Sequence, residues 1–93
     1  MSEENIPTPK SLLNACKLSI KEDKPIMFDY WQESFQDKVL IGVRDNEEKL
    51  LVKSEEEYTS PISKIYKVES EYIIMTENSI YMVSSKIKSR KIN

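Results

Sequence analysis

The densest run of apolar positions along the chain lies within residues 62–85, and short polar breaks divide it. Residues 72–76 and 80–83 are rich in β-branched and aromatic side chains and are too short for stable helices, so both predict β-strands. Glu77 and Asn78 lie between them and predict a two-residue hairpin loop with a positive φ at Asn78. This loop pairs Met75 with Ile80, Ile74 with Tyr81, and Ile73 with Met82. Both faces of the hairpin are then apolar, which is typical of strands at the centre of a sheet or small barrel.

The N-terminal part of the chain predicts one helix over about residues 8–21. Thr8 can cap it, because its side chain accepts from first-turn amides, and Pro9 suits the first helical position because its missing N–H is not needed there. The apolar spacing predicts a buried stripe made of Leu12, Leu13, Cys16 and Ile20. Residues 1–7 before the helix are acidic and polar and are predicted to be disordered.

Further strands are predicted at residues 26–31, 39–43 and 49–53, with a fourth opening after Pro61. Gly42 is the only glycine, and inside a strand it indicates a bulge, a bend or the close approach of something bulky. Asn46 is the expected left-handed residue of the following turn. The predicted fold class is therefore α+β, with an N-terminal helix followed by an antiparallel meander of about six short strands. The same order of elements suits a small SH3-like or Sm-like barrel, although the glycine- and aspartate-bearing motifs of Sm-like proteins are absent.

The length of 93 residues fits one domain, predicted to span residues 8–85 and to be followed by a basic C-terminal tail at residues 86–93. The net charge is −2, which does not indicate disorder, but residues 1–60 carry −5 and residues 61–93 carry +3. No apolar run approaches the length of a membrane span and no signal-peptide pattern opens the chain, so no membrane partner is expected. The single cysteine suits a reducing compartment such as the cytoplasm.

The residue types needed for most catalytic chemistry are missing. The chain has no histidine, one cysteine and one glycine, which removes zinc clusters, Ser-His or Cys-His pairs, phosphate-binding loops and dinucleotide fingerprints. Catalysis by carboxylates and lysine alone is the remaining route and would need a pocket with a perturbed carboxylate or lysine, but nothing in the sequence places two such residues together. The sequence therefore predicts a protein that is not an enzyme and holds no metal or cofactor. Cys16 is read as a small core residue rather than a reactive thiol. The run Glu55, Glu56 and Glu57 is read as a solvated loop rather than a cation site.

Two groups of side chains are candidates for binding. Trp31 and Phe35 fall off the inward face of the first predicted strand, so they and Tyr58 are candidate anchors for a protein partner. The cationic candidates for nucleic-acid binding are Lys86, Lys88, Arg90 and Lys91. Two interpretations of these four residues stay open: a solubilising tail, or a final strand with one cationic face that contacts phosphate. Few cations and a near-neutral domain count against dedicated nucleic-acid binding.

The segments PISKIYKVESEYIIMTENSIYMVS, IPTPKSLLNACKLSI and DKPIMFDYW resemble small uncharacterised proteins encoded by large DNA viruses of algae and protists. The recurring pattern is strand, strand, then Thr-x-Asn-Ser-Ile-Tyr, which falls here on Thr76, Asn78, Ser79, Ile80 and Tyr81. The high content of Lys, Ile and Asn also suits an AT-rich viral genome. The resemblance implies a setting, in host cytoplasm or a virion, and no mechanism.

Two functional hypotheses follow from these observations. The first is a non-enzymatic protein–protein interaction or assembly module, which could bind another protein or further copies of itself through exposed strand edges. The alternative is a small nucleic-acid-binding domain that uses the basic C-terminal residues and exposed aromatic rings.

Overall fold

A computed structural model describes residues 6–92 of the chain, and its order of elements begins with a helix. The elements are α1 (Pro9–Glu22), β1 (Ile26–Met27), α2 (Trp31–Ser34), β2 (Leu40–Val43), β3 (Lys49–Val52), β4 (Ile62–Val68), β5 (Glu71–Thr76), β6 (Ile80–Ser84) and β7 (Lys88–Lys91). They form a four-stranded sheet in the order β1-β6-β5-β4 and a three-stranded sheet in the order β3-β2-β7. The predicted α+β class with an N-terminal helix is confirmed.

The strand pairing departs from a simple meander at two places. β1 pairs with β6 in parallel, and β7 pairs with β2 in parallel, so both sheets are mixed. A parallel pair needs a long crossover between its strands, and 52 residues lie between β1 and β6 and 44 residues between β2 and β7. The strands of residues 6–92 form two open sheets, and the predicted barrel is not confirmed.

The hairpin of β5 and β6 is the centre of the fold, as the sequence predicts. Its register pairs Met75 with Ile80, Ile74 with Tyr81 and Ile73 with Met82, which confirms the predicted pairing. The face of this hairpin that is turned toward the helices packs in one core cluster, which consists of Ala15, Trp31, Ile73, Met75, Ile80 and Met82. The opposite face packs against the smaller sheet in a second cluster, which consists of Tyr30, Val39, Ile41, Leu51, Ile74 and Val83. The fold therefore has three layers: helices, the four-stranded sheet and the three-stranded sheet.

The turn of the β5–β6 hairpin uses a side chain instead of a left-handed residue. Asn78 does not have a positive φ, so that prediction is wrong. The Thr76 hydroxyl accepts from the backbone N–H groups of Asn78 and Ser79, at 3.3 and 3.1 Å, and donates to the Ser79 carbonyl at 3.1 Å. In the β2–β3 hairpin the left-handed residue is Glu47, with φ 69°, rather than the predicted Asn46.

Helix α1 begins as predicted but buries a different face. Thr8 is the N-cap, its side chain accepts from the Ser11 N–H, and Pro9 opens the helix. The predicted stripe is wrong, because Leu13 and Cys16 are exposed and Ile20 is 83% exposed. The buried face centres on Ser11 and Ala15, with Leu12 and Leu18 packed at its sides.

A hydrogen-bond network around Glu71 explains why α1 turns a serine inward. The Glu71 Oε1 accepts from the Ser11 hydroxyl at 2.6 Å, from the Thr8 hydroxyl at 3.1 Å and from the Thr8 N–H at 3.3 Å, while Oε2 accepts from the Ser70 hydroxyl at 2.8 Å. Burial alone raises the pKa of Glu71, but these hydrogen bonds outweigh it and hold the pKa below its ordinary value of 4.5. The buried carboxylate thus fixes the start of α1 to the start of β5.

The predicted first strand at residues 26–31 is mostly not a strand. Only Ile26–Met27 pairs, and the chain then turns into the short helix α2. This turn points Trp31 into the helical core cluster, where it is 5% exposed. Phe28, which precedes this turn, is exposed.

The C-terminal residues belong to the smaller sheet and are not a free tail. β7 lies beside β2, and the Ile92 N–H donates to the Val43 carbonyl at 2.8 Å. The Ile92 side chain lies against Gly42 so closely that a Cβ at position 42 would be 2.6 Å from the Ile92 Cδ1. Gly42 therefore marks a close approach, which is one of the alternatives that the sequence predicts. Of the two interpretations of the basic C-terminal residues, the structure shows a final strand, which spans Lys88–Lys91.

The ends of the chain are described only in part. Residues 1–5, most of the segment predicted to be disordered, lie outside the described residues, as does residue 93. Pro7 is already buried. None of the helices in residues 6–92 has the length and apolar character needed to cross a membrane.

Candidate functional site

The outer face of the three-stranded sheet carries an open groove of about 1260 Å³. Along β3, Leu51 points into the core between the sheets, so Leu50 and Val52 face outward by strand alternation. They form the groove floor together with Leu40 of β2 and with Ile92, and in this floor Leu50 is only 2% exposed while the other three side chains are partly exposed. We call this feature the sheet groove. Its walls come mainly from β7, from the loop after β3 and from the segment after α2. The charged and polar side chains that line the groove are Glu33, Asp37, Lys38, Arg44, Lys53, Ser54, Glu55, Tyr58, Lys88, Ser89 and Arg90.

Tyr58 stands on one wall of the sheet groove because the acidic loop turns back along β3. Tyr58 forms an isolated antiparallel bridge with Val52, and the Thr59 N–H donates to the Leu51 carbonyl at 2.9 Å. The Ser54 hydroxyl accepts from the Glu56 and Glu57 amides and closes the loop. Tyr58 is 52% exposed. The loop therefore covers the edge of β3 and presents an aromatic ring at the groove.

The opposite wall carries two cationic side chains of β7. Lys88 and Arg90 alternate along the strand and both line the sheet groove. Lys91 does not line it and pairs with Asp45 at 3.6 Å, with both side chains 75% exposed, so this ion pair contributes little to stability. Lys86 precedes β7 and is exposed outside the groove. The structure thus brings Tyr58, Lys88 and Arg90 together and leaves Lys86 and Lys91 apart.

The charge of the sheet groove is mixed. Arg44 forms an ion pair with Glu48 at 3.0 Å, while Lys88 and Arg90 form no ion pair with any residue in 6–92. The acidic side chains of Glu33, Asp37 and Glu55 line the same groove. A surface with both signs of charge around an apolar floor is typical of a protein interface, whereas a nucleic-acid site is expected to be uniformly basic.

Lys53 connects the sheet groove to a buried tyrosine. Its Nζ lies 4.7 Å from the centroid of the Tyr30 ring and donates to the Asp29 carbonyl at 3.0 Å. Burial, followed by the neighbouring Tyr81, Glu57 and Asp29, raises the pKa of Tyr30 to about 12. Tyr30 therefore stays neutral across the physiological range and acts here as a packed ring that holds Lys53 in place.

Two of the candidate anchors lie elsewhere. Trp31 was predicted to be exposed and is buried, because α2 replaces the expected strand and turns the indole inward. Phe35 is 40% exposed and lies outside the sheet groove, where its ring packs edge-on against Trp31 with centroids 4.8 Å apart. Only Tyr58 of the three keeps the position of a surface anchor beside a groove.

Sequence reasoning missed the floor of the sheet groove. Leu40, Leu50 and Val52 fit the apolar pattern of ordinary strand residues, but apolar side chains on both faces of short strands signal either a second buried layer or a binding surface. The prediction for Cys16 was also wrong, since its thiol is exposed on α1. The residues Glu55, Glu56 and Glu57 are exposed, as the loop interpretation expects.

Comparisons of the chain with protein-family models, with curated proteins and with solved structures found no match. Function must therefore be argued from the surface itself. Among residues 6–92, no cluster of three or more His, Cys, Asp or Glu side chains is placed to hold a metal ion.

Proposed function

We propose that the protein is a non-enzymatic interaction module and that the sheet groove binds a segment of another protein or of a second copy. One observation carries this proposal: the groove combines an apolar floor with a mixed-charge rim that includes Tyr58 and Arg90. Tyrosine and arginine are among the residues most often found at binding hot spots, and the partly exposed side chains of Leu40, Val52 and Ile92 supply apolar area that a partner can bury.

The dimensions of the sheet groove also support a macromolecular partner. Pockets for small ligands usually enclose about 300–1,000 Å³ and surround most of the ligand. The sheet groove, at about 1260 Å³, is larger and lies open on a sheet face. An open site of this size suits a chain segment that lies across the sheet.

Nucleic acid is the second candidate, and the placement of Lys88 and Arg90 favours it. Both side chains lie on one face of β7, neither forms an ion pair within residues 6–92, and Tyr58 lines the same groove. An aromatic ring on one wall of a groove can stack on a base while cations on the opposite wall contact phosphates. The acidic lining residues Glu33, Asp37 and Glu55 would repel a phosphate backbone, so we rank this candidate second.

Photocrosslinking from position 58 separates these candidates. Tyr58 is replaced by benzoylphenylalanine, and the protein is irradiated both alone and in extract of the cells that produce it. If the partner is another protein, we expect a crosslinked adduct with one defined protein in the extract. If the partner is a second copy, we expect an adduct of twice the monomer mass in the purified sample. We expect the adduct to disappear when Lys88 and Arg90 are also replaced by glutamine.

The matched control places the same photoreactive residue at Glu77, in the exposed turn between β5 and β6 and outside the sheet groove. A protein adduct at position 58 and none at position 77 supports the proposal. If nuclease digests the adduct formed at position 58, the partner is a nucleic acid, and the second candidate function replaces the first. Equal labelling at both positions, or no adduct at position 58, would contradict both.

The setting of this function remains a prediction from the resemblance to viral proteins. We propose that the module acts in the cytoplasm of an infected host cell or as part of a virion. Recovery of the crosslinked partner tests this setting as well, because the partner's own origin identifies where the module works.

A further inference from the structure

A second groove lies along β4 and shares no lining residue with the sheet groove. It has a volume of about 470 Å³ and is formed by residues 65–68 of β4, by Ile73 of β5 and by one side of α1. Successive strand residues point to opposite faces of a sheet, yet all four residues at 65–68 line this groove. The groove therefore opens along the edge of the strand, and we call it the edge groove.

The backbone beside the edge groove is available for pairing. β4 is an outer strand of its sheet, and among residues 6–92 it pairs only with β5. It has seven residues, which makes it the longest strand described. A long outer strand presents a row of unpaired N–H and C=O groups, which is the template that an added strand uses.

All charged side chains that line the edge groove have the same sign. They are Lys17 and Lys21 of α1 and Lys67 of β4, and no acidic side chain lines it. None of these three lysines forms an ion pair within the described chain. The apolar part of the lining is Leu18, Ile65, Tyr66, Val68 and Ile73, and Ile65 is 36% exposed.

We propose that the edge groove binds an extended acidic segment of a partner protein, which adds to β4 as a further strand. Main-chain hydrogen bonds to the free edge supply pairing, and the apolar side chains of the segment, which lie on one face of the added strand, contact Ile65. Its carboxylates lie on the opposite face, which α1 covers, and contact Lys17 and Lys21. The proposal goes beyond the sheet groove, because it concerns a different surface and a partner of stated charge.

Ordinary protection of a strand edge does not explain this arrangement fully. Lysine on an outer strand discourages uncontrolled pairing, and Lys64 and Lys67 serve that purpose by themselves. Lys17 and Lys21 lie on a different element, and edge protection does not require a helix to add two more cations above an apolar groove. Their presence points to recognition of opposite charge.

Charge also argues against a second copy as the occupant. The β4 strand of a second copy carries Lys64 and Lys67 and no acidic residue, so it brings only positive charge to a groove that is lined by lysines. Like charges directly opposite each other across a strand pair are destabilising. Lys17 and Lys21 of both copies would add to this repulsion, whereas an acidic strand relieves it.

Fluorescence anisotropy with a labelled six-residue peptide tests the proposal. The probe alternates acidic and apolar residues, Glu-Val-Glu-Ile-Asp-Val. One comparison peptide replaces each acidic residue with lysine, and another carries backbone N-methyl groups on alternate residues, which blocks strand pairing without changing charge. We expect the acidic probe alone to bind, and its affinity to fall as salt rises.

Protein variants locate the binding. We expect Lys17→Glu with Lys21→Glu to weaken the probe's affinity at least about tenfold and to allow the lysine peptide to bind, because the charge pattern is then reversed. The matched control, Lys10→Glu with Lys49→Glu, changes the net charge equally at exposed positions outside both grooves and should change affinity less than about twofold.

Three results would overturn the proposal. One is no binding of the acidic probe to the unmodified protein. Another is an equal loss of affinity in the two double variants, which would mean attraction by net charge alone. The third is unchanged binding of the N-methylated peptide, which would rule out strand addition. None of these results bears on position 58, so the two grooves are tested separately.

Discussion

Replacing Trp31 by alanine should destabilise the protein by about 3–5 kcal/mol, the usual range for removal of a large buried aromatic side chain. The indole is 5% exposed and packs with Ala15, Ile73 and Met82 between the helices and the four-stranded sheet. A domain of this size has a total stability of about 5–15 kcal/mol, so the variant should be close to unfolding at room temperature. Denaturant unfolding followed by circular dichroism measures the change.

Phe35→Ala is the matched control for this prediction. Phe35 contacts Trp31 but is 40% exposed, so its removal should cost clearly less than that of Trp31: about 0.5–1.5 kcal/mol for the edge-to-face contact, together with the loss for a partly buried ring. If Trp31→Ala left stability unchanged, Trp31 would be a surface residue, as the strand pattern had predicted, and α2 would be wrongly placed.

Replacing Glu71 by alanine should have the second largest effect. The change leaves the buried Ser11 hydroxyl and the hydroxyls of Thr8 and Ser70 without their carboxylate acceptor. We expect a loss of about 1–3 kcal/mol, the cost of one buried polar group left without its partner, because Ser70 is exposed and the Ser11 hydroxyl can still donate to the Val68 carbonyl at 3.1 Å. Glu77→Gln, at an exposed turn, is the control and should be neutral. Equal stability of Glu71→Ala and the control would show that the network does not hold α1.

The same network predicts a specific dependence on acid. Hydrogen bonds hold the folded-state pKa of Glu71 below 4.5, so the carboxylate binds a proton more readily in the unfolded chain. Its contribution to stability is therefore fully present above the unfolded pKa and is lost as the pH falls through the folded pKa. The free energy of unfolding should fall more steeply with acid in the unmodified protein than in Glu71→Gln. Parallel curves for the two proteins would contradict this assignment.

The sequence predicts local structure well where one physical signal dominates. Thr8 and Pro9 fix the start of α1, and the alternation around Glu77 and Asn78 fixes the register of the central hairpin. Both features depend on neighbouring residues and on backbone chemistry that a sequence displays directly.

The errors arise where a distant residue decides the outcome. The helix has two candidate stripes, and the one with Leu13 and Ile20 looks more apolar. The other is buried because Glu71, sixty residues away from Ser11, supplies an acceptor for the serine hydroxyl. The burial of Trp31 is likewise decided by the packing of α2 on β6 and not by the local strand pattern. The Ser34 hydroxyl of α2 accepts from the Ser84 N–H of β6 at 2.9 Å, and this bond joins the two elements.

The candidate site was predictable only in pieces. Tyr58, Lys88 and Arg90 stood out as binding residues by type, but their sequence separation gave no sign that they share one groove. The parallel pairing of β7 with β2 brings them together, and a pairing between segments more than forty residues apart leaves no local pattern. The sequence also does not show that Leu40 and Leu50 lie on the outer face of that sheet, because this depends on which face of the sheet packs against β5 and β6.

Amide hydrogen exchange of residues 88–92, followed by NMR, tests the central claim most directly. The sheet groove exists only if β7 pairs with β2, where the Ile92 N–H donates to the Val43 carbonyl and the Ile92 side chain covers Gly42. We predict that the Ile92 amide exchanges far more slowly than in an unstructured peptide, with protection comparable to that of β2. Exchange of Ile92 at the unstructured rate, with β2 still protected, would make residues 86–93 a free tail and would remove both the floor and one wall of the sheet groove.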